Sequence, residues 1–269
     1  SKAKCQGPLF VLSKIKPYKV MTNQTTYKKP STLLTTNNAK TIKGEKLGFT
    51  TYILYLSPYR QNSKNINLCP KASAGCVKAC LFNSGRGGFD TTKNARVNKT
   101  EFFLAERELF LDTLYIEIAT AEVKHKLTNT EFVVRLNGTS DIAWEKFKLK
   151  RTGKNIFDSF PNVQFYDYTK NEKRFDKELP ANYSLVFSRS EENEKTAMKL
   201  IERGINVAVV FDKLPQQYNG FEVIDGDEHD LRFRDKLGVI VGLKYKFLRN
   251  KNADNKNALE SGFIVKIAA

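Results

Sequence analysis

Cys69, Cys76 and Cys80 fall within twelve residues of one another in NLCPKASAGCVKACLFNSGRGG (67–88), a C-x6-C-x3-C spacing. Pro70, Gly75 and the small residues between the thiols let the loop turn back. Three sulfurs can then converge on one metal ion, zinc or an iron–sulfur cluster, with one coordination position left open. The spacing matches no common zinc-finger pattern. A group of buried thiols, or one disulfide, accounts for the same residues, because a reduced cysteine packs as a small hydrophobe. Cys5 is expected to lie apart.

Other constellations are weaker. Asp225, Asp227, Glu228 and Asp230 place four carboxylates in six residues around Gly226, enough for a hard cation beside a phosphate, or equally for an acidic surface turn. His229 sits inside that loop as a candidate fourth ligand; His125 sits near a helix end, where a positive charge suits the dipole. Ser-Gly-Arg-Gly-Gly at 84–88 is a basic, backbone-exposed stretch that would cradle an anion, but it lacks the Gly-Lys-Ser/Thr of a P-loop.

The elements that must position these groups alternate between strand and helix after residue 48, the pattern of a parallel sheet with crossover helices. Strands are expected at 49–56, 131–136, 163–168, 183–187, 207–211, 221–224, 239–243 and 263–267. A long helix is expected over 91–126, a short one over 142–149, and another over 191–203 that Gly204 stops. The segments after the strands gather polar groups: the Cys loop, RLNGTSD (135–141), DYTK (167–170), SRS (188–190) and DGDEHD (225–230). Loops at this edge build the active sites of barrels and open parallel sheets. The expectation is an α/β fold, a complete or partial parallel (β/α) barrel over 48–269 with a basic extension over 1–47. Arg135, Asp141, Lys170, Arg189 and Asp227 are the candidate catalytic residues around one pocket facing the Cys loop. Loops are polar in any fold, which accounts for part of this signal.

The chain of 269 residues carries 45 Lys+Arg against 29 Asp+Glu, a net charge of +16. Residues 1–50 hold ten lysines and one acid. A field of that size attracts polyanions, and nucleic acid is the commonest in a cell. Tyr18, Tyr27 and Phe49, interleaved with the lysines, would suit stacking on single-stranded bases. A Lys-rich composition with a solvated face explains the same excess. The apolar runs are short and the amino terminus shows no secretory pattern, so a cytoplasmic protein with no membrane partner is expected. Two function classes follow: a metal or iron–sulfur enzyme acting on nucleic acid or nucleotides, and a non-enzymatic nucleic-acid-binding protein whose cysteines are structural.

The Cys block, VVRLNGTSDIAWE, FYDYTK, FSRSE and VIDGDEHDLRFRDKLGVIVGLKYK together resemble the phage "gene product 88" family over about residues 48–247. The resemblance implies a phage or mobile-element origin and residence in the host cytoplasm, without an established activity. Besides Cys69, Cys76 and Cys80, it implies that Arg96, Asn98, Arg135, Ser140, Asp141, Asp225, Asp227 and Asp230 belong to family motifs. Arg96, Asn98 and Ser140 are therefore candidates for holding a cofactor. The layout is also similar to radical S-adenosylmethionine enzymes, which hold three cysteines after the first strand of a (β/α) barrel. That likeness implies an iron–sulfur cluster with S-adenosylmethionine, and Gly138 in NGTSD as the nearest counterpart of their glycine-rich cofactor loop. The usual C-x3-C-x2-C spacing of those enzymes is absent here.

Overall fold

A computed structural model describes residues 27–36, 39–80, 85–247 and 252–267. In chain order its elements are β1 (Leu34–Thr35), α1 (Ala39–Glu45), β2 (Phe49–Leu54), α2 (Ala74–Lys78), α3 (Asp90–Ala105), α4 (Arg107–Thr128), β3 (Glu131–Arg135), β4 (Gln164–Thr169), β5 (Tyr183–Ser188), α5 (Glu194–Glu202), β6 (Val207–Phe211), β7 (Gln217–Tyr218), β8 (Phe221–Asp225), β9 (Ile240–Lys244), α6 (Asn252–Glu260) and β10 (Ile264–Val265). These strands form one sheet in the order β1-β2-β3-β4-β5-β6-β9-β8-β7, with β10 attached to β6. From β2 through β8 every pairing is parallel, so the carboxyl ends of seven strands share one edge.

The described strands make an open sheet, not a complete barrel. Both ends are stopped by short antiparallel strands: β1 on β2, and β7 folded back on β8 through a turn in which Asn219 and Gly220 both take positive φ. Because β1 pairs with β2, part of the chain before residue 48 belongs to the sheet.

Side chains alternate between the two faces of each strand. Val134, Leu136 and Phe165 join Phe102, Phe110, Leu114, Ile118 and Trp144 in the largest core, under α3 and α4. Phe187, Val209 and Phe211 pack with Ala197, Leu200 and Ile201 of α5. The opposite face carries Val133 and Tyr166 against Leu231, and Val186, Ala208 and Val241 in a group of their own.

The sheet forks at β6. Its first residues pair with β5 (Phe187 with Val207, Ser188 with Ala208), and its last residues pair with β10 (Ile264 with Val210, Val265 with Phe211). β5 therefore ends beside the first residues of β6, and β10 takes its place beside the last residues of β6.

Two helices differ from expectation. The helix expected over 91–126 is α3 and α4, broken at Glu106, whose φ of −130° and ψ of 55° leave the helical region. The Glu106 N–H still donates to the Phe102 carbonyl and its own carbonyl accepts from Phe110, each at 2.9 Å, so the apolar period carries through the break. The helix expected over 142–149 is only a 3₁₀ turn at Trp144–Lys146. Asn137 captures the groups that a helix would use: its carboxamide oxygen accepts from the Ile142 N–H and Trp144 Nε1, and its amide donates to the Ile142 carbonyl at 2.9 Å.

Asn137 is itself held by Asp167, a fully buried residue of β4. Asp167 accepts from the Asn137 N–H at 2.7 Å, from its amide at 3.3 Å and from the Tyr183 hydroxyl at 3.2 Å, with Arg135 Nε at 3.9 Å. Burial pushes the Asp167 carboxyl up to about 7, against the pull of Arg135, the Asn137 N–H, Arg174 and Tyr183. A carboxyl that protonates more readily when folded adds stability at low pH that is lost as pH rises through its folded value. This contribution should fade from about pH 4, the ordinary aspartate value, to about 7. Asp167→Asn, which does not titrate, should show a less negative slope of unfolding free energy against pH across that window, measured by urea denaturation. Equal slopes in the two proteins would refute the assignment.

Candidate functional site

The Cys loop is clamped from three sides. α2, which carries Cys76, begins at Ser73, whose hydroxyl accepts the Cys76 N–H at 3.2 Å. Glu191, just past β5, accepts the Ser73 hydroxyl and the Gly75 N–H, each at 2.7 Å. A Cβ on Gly75 would stand 2.6 Å from Glu191 Oε1 and 2.7 Å from Phe263, so a glycine is required for this approach. On the second side, Cys69 Sγ accepts the Tyr59 N–H at 3.4 Å and its thiol donates to the Thr139 carbonyl at 3.7 Å. On the third, the Asp141 N–H donates to the Leu68 carbonyl at 2.9 Å.

These loops and the inward side chains of the sheet enclose a cavity of about 260 Å3. Cys69, Cys76 and Cys80 line it together with Arg135, Gly138, Ser140, Asp141, Lys170 and Asp227. The three thiols are half-buried and form no disulfide. Burial pushes the Cys69 thiol up to about 12; the Tyr59 N–H opposes this, and the nearby Cys80, Cys76 and Asp141 add to it. At neutral pH Cys69 is therefore a thiol and a poor nucleophile. Among the described residues no three His, Cys, Asp or Glu side chains stand grouped as a metal site. Cys5 lies outside the described residues.

Each lining residue has its own anchorage. Arg135 Nη1 meets Asp230 Oδ2 at 2.6 Å and its guanidinium lies 4.7 Å from the Tyr168 ring. Burial works against its charge, but Asp230, Tyr168, Tyr166 and Asp167 together hold it above the usual arginine range. Asp141 accepts from the Thr169 hydroxyl at 2.7 Å and the Lys170 N–H at 2.8 Å, so it joins β4 to the Cys loop. Lys170 Nζ donates to Ser188 Oγ at 2.5 Å. Asp227 meets Lys246 Nζ at 2.6 Å and accepts the Lys244 N–H at 2.9 Å. Burial opposes its charge too, yet the hydrogen bonds from Lys246 and Lys244, with the charges of Lys246 and Lys43, keep its carboxyl below the usual range.

Gly138 and Ser140 shape the loop. A Cβ on Gly138 would stand 2.6 Å from the Tyr55 ring, and the Ser140 hydroxyl donates to Asn137 Oδ1 at 3.0 Å.

Three expected residues do not line the cavity. Arg189 pairs with Glu194 and donates to the Gly262 and Phe263 carbonyls at 2.6 and 3.0 Å, bridging the fork between β5 and β10. Arg96 lies over the Tyr55 ring at 4.9 Å, within the electrostatic reach of Cys80. Asn98 accepts the Lys28 N–H at 3.3 Å in a separate hollow beside Tyr27 and Glu101.

The acidic loop also disperses. Asp225 pairs with Lys244 at 3.4 Å, Asp227 with Lys246, and Asp230 with Arg135. His229 Nδ1 faces the Leu231 N–H at 3.2 Å, and His125 lies between Tyr52 and Thr130. Neither stands in a group that could hold a metal ion among the described residues. Of the expected base-stacking aromatics, Tyr18 lies outside the described residues. Tyr27 is 8% exposed against Phe102, and Phe49 packs on Phe233. Tyr27 is thus committed to the core. Ser84 lies outside the described residues, and Gly85–Gly88 form a 3₁₀ turn.

The fold and cavity define a class: a mixed α/β protein with an open, largely parallel sheet and a cysteine-lined pocket at its carboxyl edge. Within that class the chain belongs to the Gene product 88 family, whose profile matches residues 32–266. No curated protein and no solved structure matches it. No described helix is long and apolar enough to cross a membrane.

Glu191 is not among the expected site residues, because a glutamate opening the helix expected over 191–203 reads as surface; the observed α5 begins only at Glu194. Glu191→Ala removes the acceptor of two donors and should cost about 1–3 kcal/mol of stability. It should also speed alkylation of Cys76 by iodoacetamide in the folded protein, followed by peptide mass spectrometry. Glu191→Gln should fall between the two. Unchanged alkylation in Glu191→Ala would mean that Glu191 does not hold the loop.

Proposed function

We propose that this protein is a metal-dependent enzyme of phage origin acting on a nucleotide or nucleic acid, with Cys69, Cys76 and Cys80 as ligands to an iron–sulfur cluster or a zinc ion. One observation carries the reading. The three thiols share a cavity with Arg135, Asp141, Lys170 and Asp227, which come from the carboxyl ends of three strands, β3, β4 and β8. Apolar packing alone gives no reason for fixed charges to gather around thiols.

The donor set suits soft metals, since thiolates favour zinc and iron–sulfur centres. The thiols must draw closer than they stand, which requires α2 to move against the grip of Glu191 on Ser73 and Gly75. A cationic metal would also turn Cys69 from thiol to thiolate. When bound, a cluster supplies one-electron chemistry and zinc supplies a Lewis acid; the open position would admit substrate or S-adenosylmethionine. Gly138 and Ser140 line the same cavity, while Arg96 lies within the electrostatic reach of Cys80. Asp141 holds the Cys loop against β4. Arg135 is a fixed positive charge in the wall, and Asp227 is a carboxylate held ionised by Lys246 and Lys244. Protein purified without oxygen should carry metal by elemental analysis and, for a cluster, be brown. Serine at Cys69, Cys76 or Cys80 should each remove nearly all of it. Full metal content in any of the three variants, or none in the wild type, would overturn the reading.

The net charge of +16 favours a second reading, nucleic-acid binding without catalysis. Residues 1–26 hold five lysines and no acid. If these contact phosphates, removing the segment should lower the magnitude of the slope of log affinity against log salt by about 3.5 to 4.5. A slope that survives the deletion would assign the charge to composition alone.

A further inference from the structure

One corner of the cavity holds donors without acceptors. Lys170 is half-buried, and its ammonium group donates to Ser188 Oγ at 2.5 Å and lies 5.4 Å from the Phe263 ring. It makes no ion pair with any described residue. The carboxylates nearby are committed elsewhere. Asp141 turns both oxygens to Thr169 and to the backbone of Lys170, and Asp227 turns its own to Lys246 and the Lys244 N–H. Ser188 accepts from Lys170, so its single hydroxyl hydrogen remains to donate. A described acceptor for that hydrogen is absent. A partly buried ammonium and a hydroxyl, side by side and short of acceptors, lack one complement: a compact oxyanion. Asp141 fixes the Lys170 backbone, and the ammonium group lies over the Phe263 ring in the cavity.

We infer that Lys170 and Ser188 form the anion-recognition point of the cavity, and that its ligand is a small molecule ending in a phosphate or carboxylate group. The volume of about 260 Å3 lies at the small end of ligand pockets, which begin near roughly 300 Å3. It admits a monomer, or one terminal group, and excludes a duplex. Val77, Val210 and Leu243 give the wall an apolar stretch, suited to the non-ionic part of such a molecule. This inference rests on reading the cavity as the active site and narrows the substrate from nucleic acid to a small oxyanion.

The test is calorimetric titration of the full chain with inorganic phosphate and, separately, acetate, at ionic strength held constant with chloride. Wild-type protein should bind one of them saturably. Lys170→Met should weaken that binding about 10- to 100-fold, the worth of a charge-assisted hydrogen bond. Lys170→Arg should retain most of it, and Lys199→Met, on the exposed face of α5, should match the wild type. Preference for phosphate identifies a phosphorylated ligand, and preference for acetate identifies a carboxylate. Absence of saturable binding in the wild type, or equal binding in wild type and Lys170→Met, overturns the inference. Metal analysis of the same samples separates the two ideas: Cys76→Ser that loses metal yet binds the anion leaves this inference standing, while Lys170→Met should keep its metal.

Discussion

Asp167 has no exposed surface, so both of its oxygens must be satisfied from within. The donors that satisfy them set the geometry of everything above. Asn137, drawn down by its N–H and its amide, holds the chain after β3 in a tight loop and denies residues 142–149 a helix. That loop carries Gly138, Thr139 and Asp141 to the Cys segment. Tyr183 and Arg135 reach the same carboxylate from β5 and β3, so neighbouring strands are locked at one height. A buried polar cluster of this kind is tolerable only when nearly every member is paired.

Above it, the cavity is built by strand polarity and by the fork. Parallel strands send their last residues to one edge, and where β5 ends, β10 takes its place beside β6 and brings Phe263 into the cavity wall. Arg189 holds the fork by donating to two carbonyls of the chain entering β10. Removal of its guanidinium would take that donor from both carbonyls and leave Glu194 only Tyr218 and Asn219 as hydrogen-bond donors, a cost of the kind that unpaired buried groups carry.

Much of this was legible in the residues. The run of apolar strands followed by polar segments told the direction of the sheet, and the crowding of cysteines after β2 told where the loop would go. Arg189 shows where the rule stops. It was chosen for its place just after a strand, but side chains alternate, and Arg135, Lys170 and Ser188 face inward. Arg189 is one residue out of step with Ser188, so it faces the fork. Parity would have chosen the serine. The open sheet was not legible because its ends are set by β1 and β7, strands too short to show a pattern. The break at Glu106 was hidden by an apolar period that continues through it. Glu191 and Asn137 gave no signal, since their work is done for groups distant in sequence.

A strand made long after the cysteines is one that the cavity needs. Phe263 walls the pocket and packs against Gly75 of the Cys helix, and α6 and β10 lie beside that helix and β6. During synthesis the cysteines emerge well before the wall that covers them. Long closures of this kind are slow to form. The thiols therefore pass through a period of exposure on the ribosome, and whatever metal or oxidant the cell supplies in that interval meets them before the pocket closes.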